Sequence, residues 1–319
     1  MPNASTRDLI IRPLRDGEVG LFTSMPGSSG RWHPDFQRDY RELLAARHYR
    51  LPWTWVALRE GTVVARAAWW GFPDNDAPYT LDWLDFATER DGAELVLAAH
   101  QVLRTPDGAS PEYHLFLPLD WRDRRPVREL TQRRLAAARG AGMQVQVERW
   151  SYLWTLPAGQ VPPAPTRLRF RAVTAADTDL LVDVLARVAS GSLDVATRAK
   201  LARHPTPAEF GRADLADLEG FPAPRTWWRL GYDRAGELVG LAVPTRNYSI
   251  PVVGYIAVVP EQRGRGYVDE LLAETTRVLV EHGADRVGAD TDSTNTPMAA
   301  AFDRAGFRKL KVRLVIGTP

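Results

Sequence analysis

Apolar and polar positions along this chain change period repeatedly, and each change marks an element. In the first half, "DLIIRPL", "WTWVALR", "VVARAAWWG", "YTLDWLDF", "EYHLFLP" and "QVQVERWSYLWTL" are short, β-branched or aromatic, and bounded by turn residues. They predict strands. "PDFQRDYRELLAARHY", "GAELVLAAHQVLR" and "RPVRELTQRRLAAARGAG" carry the longer period of amphipathic helices. The second half repeats the design. "LRFRAV" opens it, and a helix follows with Leu180, Leu181, Val184, Leu185 and Val188 on one face. A less regular, partly helical segment runs to about Pro224. The strands "TWWRLGYD", "LVGLAVPTRN" and "SIPVVGYIAVVP" come next. A helix striped by Val268, Leu271, Leu272, Thr275, Val278 and Leu279, the strand "RVGADTD", the short helix "TPMAAAFDRAG" and the strand "FRKLKVRLVIG" complete it. The second half reads as β-α-α-β-β-β-α-β-α-β and the first follows the same order with one helix between its first two strands, an internal duplication of one mixed α/β domain.

The seam is "LPAGQVPPAPTRL", where four prolines within nine residues exclude helix and central strand. It divides the chain into a domain over 1–157, a linker over 158–166 and a domain over 167–319. Composition narrows the function. The 319 residues are 45% hydrophobic and 25% charged, enough to bury two cores, and no apolar run is long enough to span a membrane. The N-terminus lacks a signal-peptide core, and the cysteine count is zero, which excludes disulfides, thiol catalysis and Cys-ligated zinc. A cytoplasmic protein, monomeric or homodimeric, is expected. Net charge is +2, and every basic residue except Lys200, Lys309 and Lys311 is arginine. That bias reads as a GC-rich bacterial genome, so arginine counts alone do not argue for nucleic acid. His33, His48, His100, His114, His204 and His282 show no metal-ligand spacing, and no metal is expected.

One stretch carries chemistry: "VVPEQRGRGYVDELL", residues 258–272, where a strand stops at a proline and a helix begins at about Gly266. The first amides of a helix lack internal partners, and the dipole there favours an anion. Gly264 and Gly266 let the backbone approach a ligand, and Arg263 and Arg265 add forked donors suited to phosphate. A pyrophosphate is the natural occupant. Neither GxxxxGK[ST] nor GxGxxG with its downstream acid is present, which excludes the two commonest nucleotide loops.

"VVPEQRGRGYV" resembles the V-x-P-x-x-[QR]-x-x-G-x-[GA] signature of the GCN5-related N-acetyltransferase (GNAT) superfamily, and "NTPMAAAFDRAGF" looks like the family's second motif. The resemblance implies two tandem GNAT-like domains, each a mixed, mostly antiparallel sheet flanked by helices. It implies acetyl-CoA as acyl donor, with Arg263, Gly264, Arg265, Gly266, Tyr267 and Val268 around the pyrophosphate. Ala257 and Val258 would bond the pantetheine arm through their backbone, Asn295 would bond the pantetheine, and Phe302 would line the acyl channel. Val268 stands where the family has Gly or Ala. Phe302 stands where many members have a tyrosine that protonates the departing thiolate.

Acyl transfer needs a base and ideally an acid. Asp290 and Asp292 share one face at the end of a strand beside the expected thioester and are the candidate bases, directly or through water. Tyr255, on the preceding strand, is the candidate acid. In the first half the corresponding junction is "LDFATERDGAELVLAA", with Glu89 and Asp91 where an anion would sit. That half is expected to have lost the cofactor site. Its seven arginines between Arg122 and Arg139 suit a solvated helix face, CoA phosphates or an RNA backbone, and its tryptophan-rich runs suit packing. The expected activity is acetyl transfer to a small-molecule amine, with antibiotic tailoring or self-resistance as the setting that the resemblance implies. A tRNA-dependent transferase and a non-catalytic CoA-binding protein are the alternatives.

Overall fold

The alternating runs form strands and the longer periods form helices in the computed structural model, which describes residues 9–26, 39–105, 108–156, 162–247 and 249–318. The chain is mixed α/β. It divides into two compact units, Met1–Glu148 with Val312–Pro319, and Arg149–Lys311.

In the first unit β1 (Leu9–Pro13), β2 (Thr54–Arg59), β3 (Thr62–Trp70), β4 (Thr80–Phe86) and β5 (Glu112–Leu117) lie in that order. Pairing is antiparallel except between β4 and β5, which run parallel at Thr80↔Glu112 and Leu81↔Tyr113. Against one face sit α1 (Val19–Ser24) and α2 (Tyr40–Ala45), whose Phe22 and Tyr40 pack with Tyr49, Val56 and Ala68. The helix over α2 is predicted from Pro34, but residues 34–38 lie outside the described ones; Asp39 caps α2 by accepting from the Arg41 and Glu42 amides. Also in this unit are α3 (Glu89–His100) and α4 (Arg125–Gly140). On α3, Leu95, Val96 and Ala99 are fully buried, and His100 accepts a hydrogen bond from Trp69 Nε1 at 3.3 Å.

The second unit holds β7 (Arg169–Ala172), β8 (Arg229–Tyr232), β9 (Leu238–Arg246), β10 (Pro251–Val258) and β11 (Arg286–Asp292). Again one neighbouring pair is parallel, β10 with β11. One core joins α5 (Thr178–Ala189) and α7 (Pro207–Glu219) to the sheet through Leu181, Val184, Leu185 and Leu215. Another joins α8 (Tyr267–Glu281) and α9 (Thr296–Arg304) through Leu272, Leu279, Ala299 and Phe302. The irregular segment before Pro224 resolves into two helices, α6 (Val195–Ala202) and α7, so this half has one helix more than predicted. None of the residues of α6 is buried, which is why its sequence lacks a clear apolar stripe.

Two strands straddle the unit boundaries: β6 (Gln144–Thr155) and β12 (Arg308–Gly317). In the second unit β6 pairs with β11 from Arg149↔Asp292 to Thr155↔Arg286. In the first unit β12 pairs with β5 from Val312↔Leu117 to Ile316↔Tyr113. A division at the proline linker would leave each half its own last strand. In the compact units those strands are exchanged, each satisfying a sheet edge that would otherwise be unpaired.

Candidate active site

The site begins where β10 and β11 part. They register at Val252↔Gly288, and beyond that point β10 keeps only its antiparallel partner β9, through Ala257↔Leu241 and Val258↔Gly240. A bulge lies between Val253 and Tyr255. Gly254 sits in it because a Cβ there would fall 2.6 Å from Thr245 Cγ2 and 2.9 Å from Val243 O. The edge of β10 facing β11 therefore has no second strand partner at Val258, whose amide faces an extended ligand while its carbonyl accepts from Arg263.

After β10 comes a single turn, Pro260–Gln262, and then the glycine pair. Gly264 and Gly266 have φ of 76° and 73°, and Gly266 is the N-cap of α8. Left-handed backbone costs any other residue about 1–2 kcal/mol. Among the described residues the amides of Gly264, Arg265 and Gly266 have no protein acceptor. With the first amides of α8 they are unpartnered donors at a helix N-terminus, where an anion is favoured.

The arginines divide. Arg265 is exposed, with Nη1 on Gln262 Oε1 at 2.8 Å. Arg263, expected to fork onto phosphate, instead donates to Val188 O at 2.8 Å, Ser190 O at 3.0 Å and Val258 O at 3.2 Å. The orphan carbonyls and negative dipole end of α5 attract a guanidinium more strongly than open solvent does. Arg167, which sequence reasoning missed, donates to Arg265 O at 2.8 Å and lies over the Tyr267 ring at 4.7 Å. It stands 98 residues before that carbonyl in the chain, beyond any local motif.

A cleft of about 640 Å³ runs on from the loop. Val258, Gly264, Gly266, Tyr267 and Val268 line one part, and Asn295, Met298 and Phe302 another. Asn295 Oδ1 caps α9 by accepting from the Met298 amide at 3.3 Å, leaving its amide nitrogen as the donor for a ligand. Phe302 is buried, 4.8 Å from the Tyr152 ring and 5.2 Å from Phe307. The Tyr152 hydroxyl is buried with no hydrogen-bond partner, and burial pushes its pKa up to about 12.

Ser192, Leu193, Asp194, Thr197, Tyr255, Asp290, Thr291 and Arg149 also line the cleft. Asp290 is exposed there, but Asp292 is not on the wall: its side chain is 0% exposed. Asp292 accepts from the Val195 amide at 2.7 Å and lies 3.0 Å from Arg149 Nη1. Strand alternation puts both carboxylates on one face, and the start of α6 covers the second. Burial raises the Asp292 pKa, opposed by the Val195 amide and Arg149. Its geometry is that of a positioning group, not of a base in the cleft. Burial also raises the Tyr255 phenol, with the Asp214 and Asp194 carboxylates adding to the effect. Tyr255 can donate a hydrogen bond but releases a proton less readily than an ordinary phenol.

Residues 197–307 match the model of the acetyltransferase (GNAT) family. The chain has a GNAT fold. A GCN5-related N-acetyltransferase from Sphaerobacter thermophilus aligns over 97% of this chain and 94% of its own at 17% identity, with a TM-score of 0.58. A glucosamine N-acetyltransferase region within a fungal multi-domain β-N-acetylglucosaminidase aligns over 98% of this chain and 38% of its own at 14% identity, with a TM-score of 0.52. A tandem GNAT protein from the clavulanic acid biosynthesis pathway covers 97% of both chains at 18% identity, with a TM-score of 0.47. The search of curated proteins found no match.

The first unit has the same GNAT strand-to-helix junction with a different filling. Thr88 caps α3, and Asp91, buried at its first turn, accepts from Thr88 Oγ1 at 2.7 Å and pairs with Arg59 at 2.5 Å. Glu89 pairs with Arg133 at 2.5 Å. The helix thus supplies its own anions. Beside parallel β4 and β5, Arg134 of α4 donates to Leu84 O at 3.2 Å and to Asp85 at 3.2 Å, while Arg66 holds the other Asp85 oxygen at 2.9 Å. A buried side chain thus bonds the β4 backbone. Of the arginines from Arg122 to Arg139, Arg122, Arg124, Arg125, Arg133 and Arg134 are paired with carboxylates.

Proposed function

We propose that the second unit is an N-acetyltransferase that moves an acetyl group from acetyl-CoA to the amine of a small molecule. The observation that carries the reading is the row of unpartnered amides at Gly264, Arg265 and Gly266 beside the open edge of β10. Those amides and the start of α8 would hold the pyrophosphate, with Arg265 and Arg167 as the nearby cations. Ala257 and Val258 would pair with the pantetheine arm, Asn295 would donate to it, and an amide near Val258 would polarise the thioester carbonyl. The thioester supplies an activated acyl carbon. Asp290 first takes a proton from the acceptor's ammonium, directly or through water, to give the neutral amine, whose lone pair attacks the thioester carbon. As the C–N bond forms and the C–S bond breaks, a second N–H proton passes to solvent. Neither Phe302 nor the perturbed Tyr255 readily hands a proton to the leaving thiolate, so solvent in the cleft protonates it.

Purified protein mixed with acetyl-CoA and a panel of primary amines is expected to release free CoA thiol; the chain itself has no cysteine to add background. Asp290→Asn is expected to lower kcat about 100-fold with the acetyl-CoA KM little changed, in the range of general-base contributions. Absence of thiol release with every amine, while CoA still raises Tm, would replace this reading with a non-catalytic CoA-binding protein. Salt-dependent tRNA binding without competition by CoA would replace it with a tRNA-dependent transferase.

A further inference from the structure

The cleft wall formed by residues 190–195, between α5 and α6, is fastened at both ends to elements that build the cofactor-binding side. At its first end, Arg263 donates to Val188 O and Ser190 O, while the same guanidinium reaches Val258 O, the last residue of β10. Gly191, with φ of 70°, packs so closely that a Cβ would fall 3.2 Å from Arg263 Nη1. A second tie runs in parallel, Arg187 to Glu261 at 2.8 Å. At the other end the Val195 amide donates to Asp292, and Arg149 lies 3.1 Å from Asp194 and 3.0 Å from Asp292. Between the ends the wall presents Ser192, Leu193 and Asp194 to the cleft, and Leu193 is 46% exposed.

Resting on the acyltransferase reading, we propose that Arg263 is a positioning residue that makes the acceptor wall of the cleft depend on the loop that holds the acyl donor. Its backbone adjoins the amide row, and its side chain grips the wall. An anion seated on the amides of Gly264 to Val268 fixes the loop, and the guanidinium carries that order to the carbonyls of Val188 and Ser190. Coupling of this kind is reciprocal, so an acceptor packed on Leu193 also tightens the hold on the donor.

Hydrogen exchange with CoA as the probe tests this. In the unaltered chain CoA is expected to slow exchange in the loop and, about fivefold or more, across residues 190–195. In Arg263→Ala, CoA is expected still to raise Tm and to protect the loop, while the protection of 190–195 is lost. Arg263→Lys, which keeps the charge and part of the donor set, is expected to restore part of it and serves if the alanine variant does not fold. Protection of the wall that persists in both variants overturns the proposal. So does loss of CoA binding in a folded Arg263 variant, because the guanidinium would then be an anion ligand. A chain whose Tm and exchange do not respond to CoA at all overturns the donor reading itself, a result separable from the other two.

Discussion

Gly264 shows how little a single residue need contribute to define this site. Its side of the loop is open, with nothing within 4 Å of where a methyl group would stand, so Gly264→Ala tests backbone conformation and ligand approach with no internal clash. The substitution is expected to cost about 1 kcal/mol of stability through its positive φ, and about tenfold or more in CoA affinity, read by calorimetry. His100 gives a second residue-scale expectation. Burial, with Arg104 nearby, pushes its pKa down to about 4 from 6.5, and it acts as the acceptor for Trp69. The unfolded chain therefore binds the proton more tightly than the folded one. Stability is fully present above pH 6.5 and falls as pH drops toward 4, by about 3 kcal/mol. Urea unfolding followed across that range should show this slope, and His100→Gln should flatten it. At this scale the sequence was informative where local conformation decides and silent where distant partners do. The glycines of the loop were legible because strand, proline and helix surround them. The destination of Arg263, and the presence of Arg167 at the same loop, depend on residues 75 and 98 positions away.

Elements were legible where one face is buried over several turns; the six-residue α1, which buries only Phe22, was not. The stripe on α8 emerges with Leu271, Leu272, Thr275, Val278 and Leu279 buried, whereas α6 buries nothing and left no period to read. Asp290 and Asp292 mark the limit of pattern reasoning. Their alternation is correct, yet a helix start from another segment covers one and leaves the other in the cleft. The corresponding limit in the first unit is α4. Its sequence reads as a solvated basic face, but Arg134 turns inward to the β4 backbone and to Asp85, which Arg66 also holds. Arg134→Ala leaves Asp85 with one buried cation instead of two. It is expected to destabilise the first unit by about 3 kcal/mol, measured by urea unfolding, with CoA binding by the second unit unchanged.

For the whole molecule, the repeated order of elements was visible in the sequence and the exchange of last strands was not. Each strand has the same alternation whichever sheet receives it, so hydrophobic pattern cannot report its partner. The exchange makes the proline linker a poor place to divide the protein. Residues 1–156 alone would lack the β12 strand that pairs with β5, and residues 162–319 alone would lack the β6 strand that pairs with β11. Neither is expected to express as a soluble, cooperatively folding protein. A protease site placed between 156 and 162 is expected to give fragments that co-elute until denatured; fragments that separate freely would show that each half completes its own sheet. The same exchange bears on inheritance. Arg149, which braces Asp292 beneath the cleft wall, is encoded with the half whose own junction is filled by carboxylates. A lineage that discarded that half as redundant would remove a brace from the cleft in the same deletion, so selection on the second unit's chemistry preserves the first.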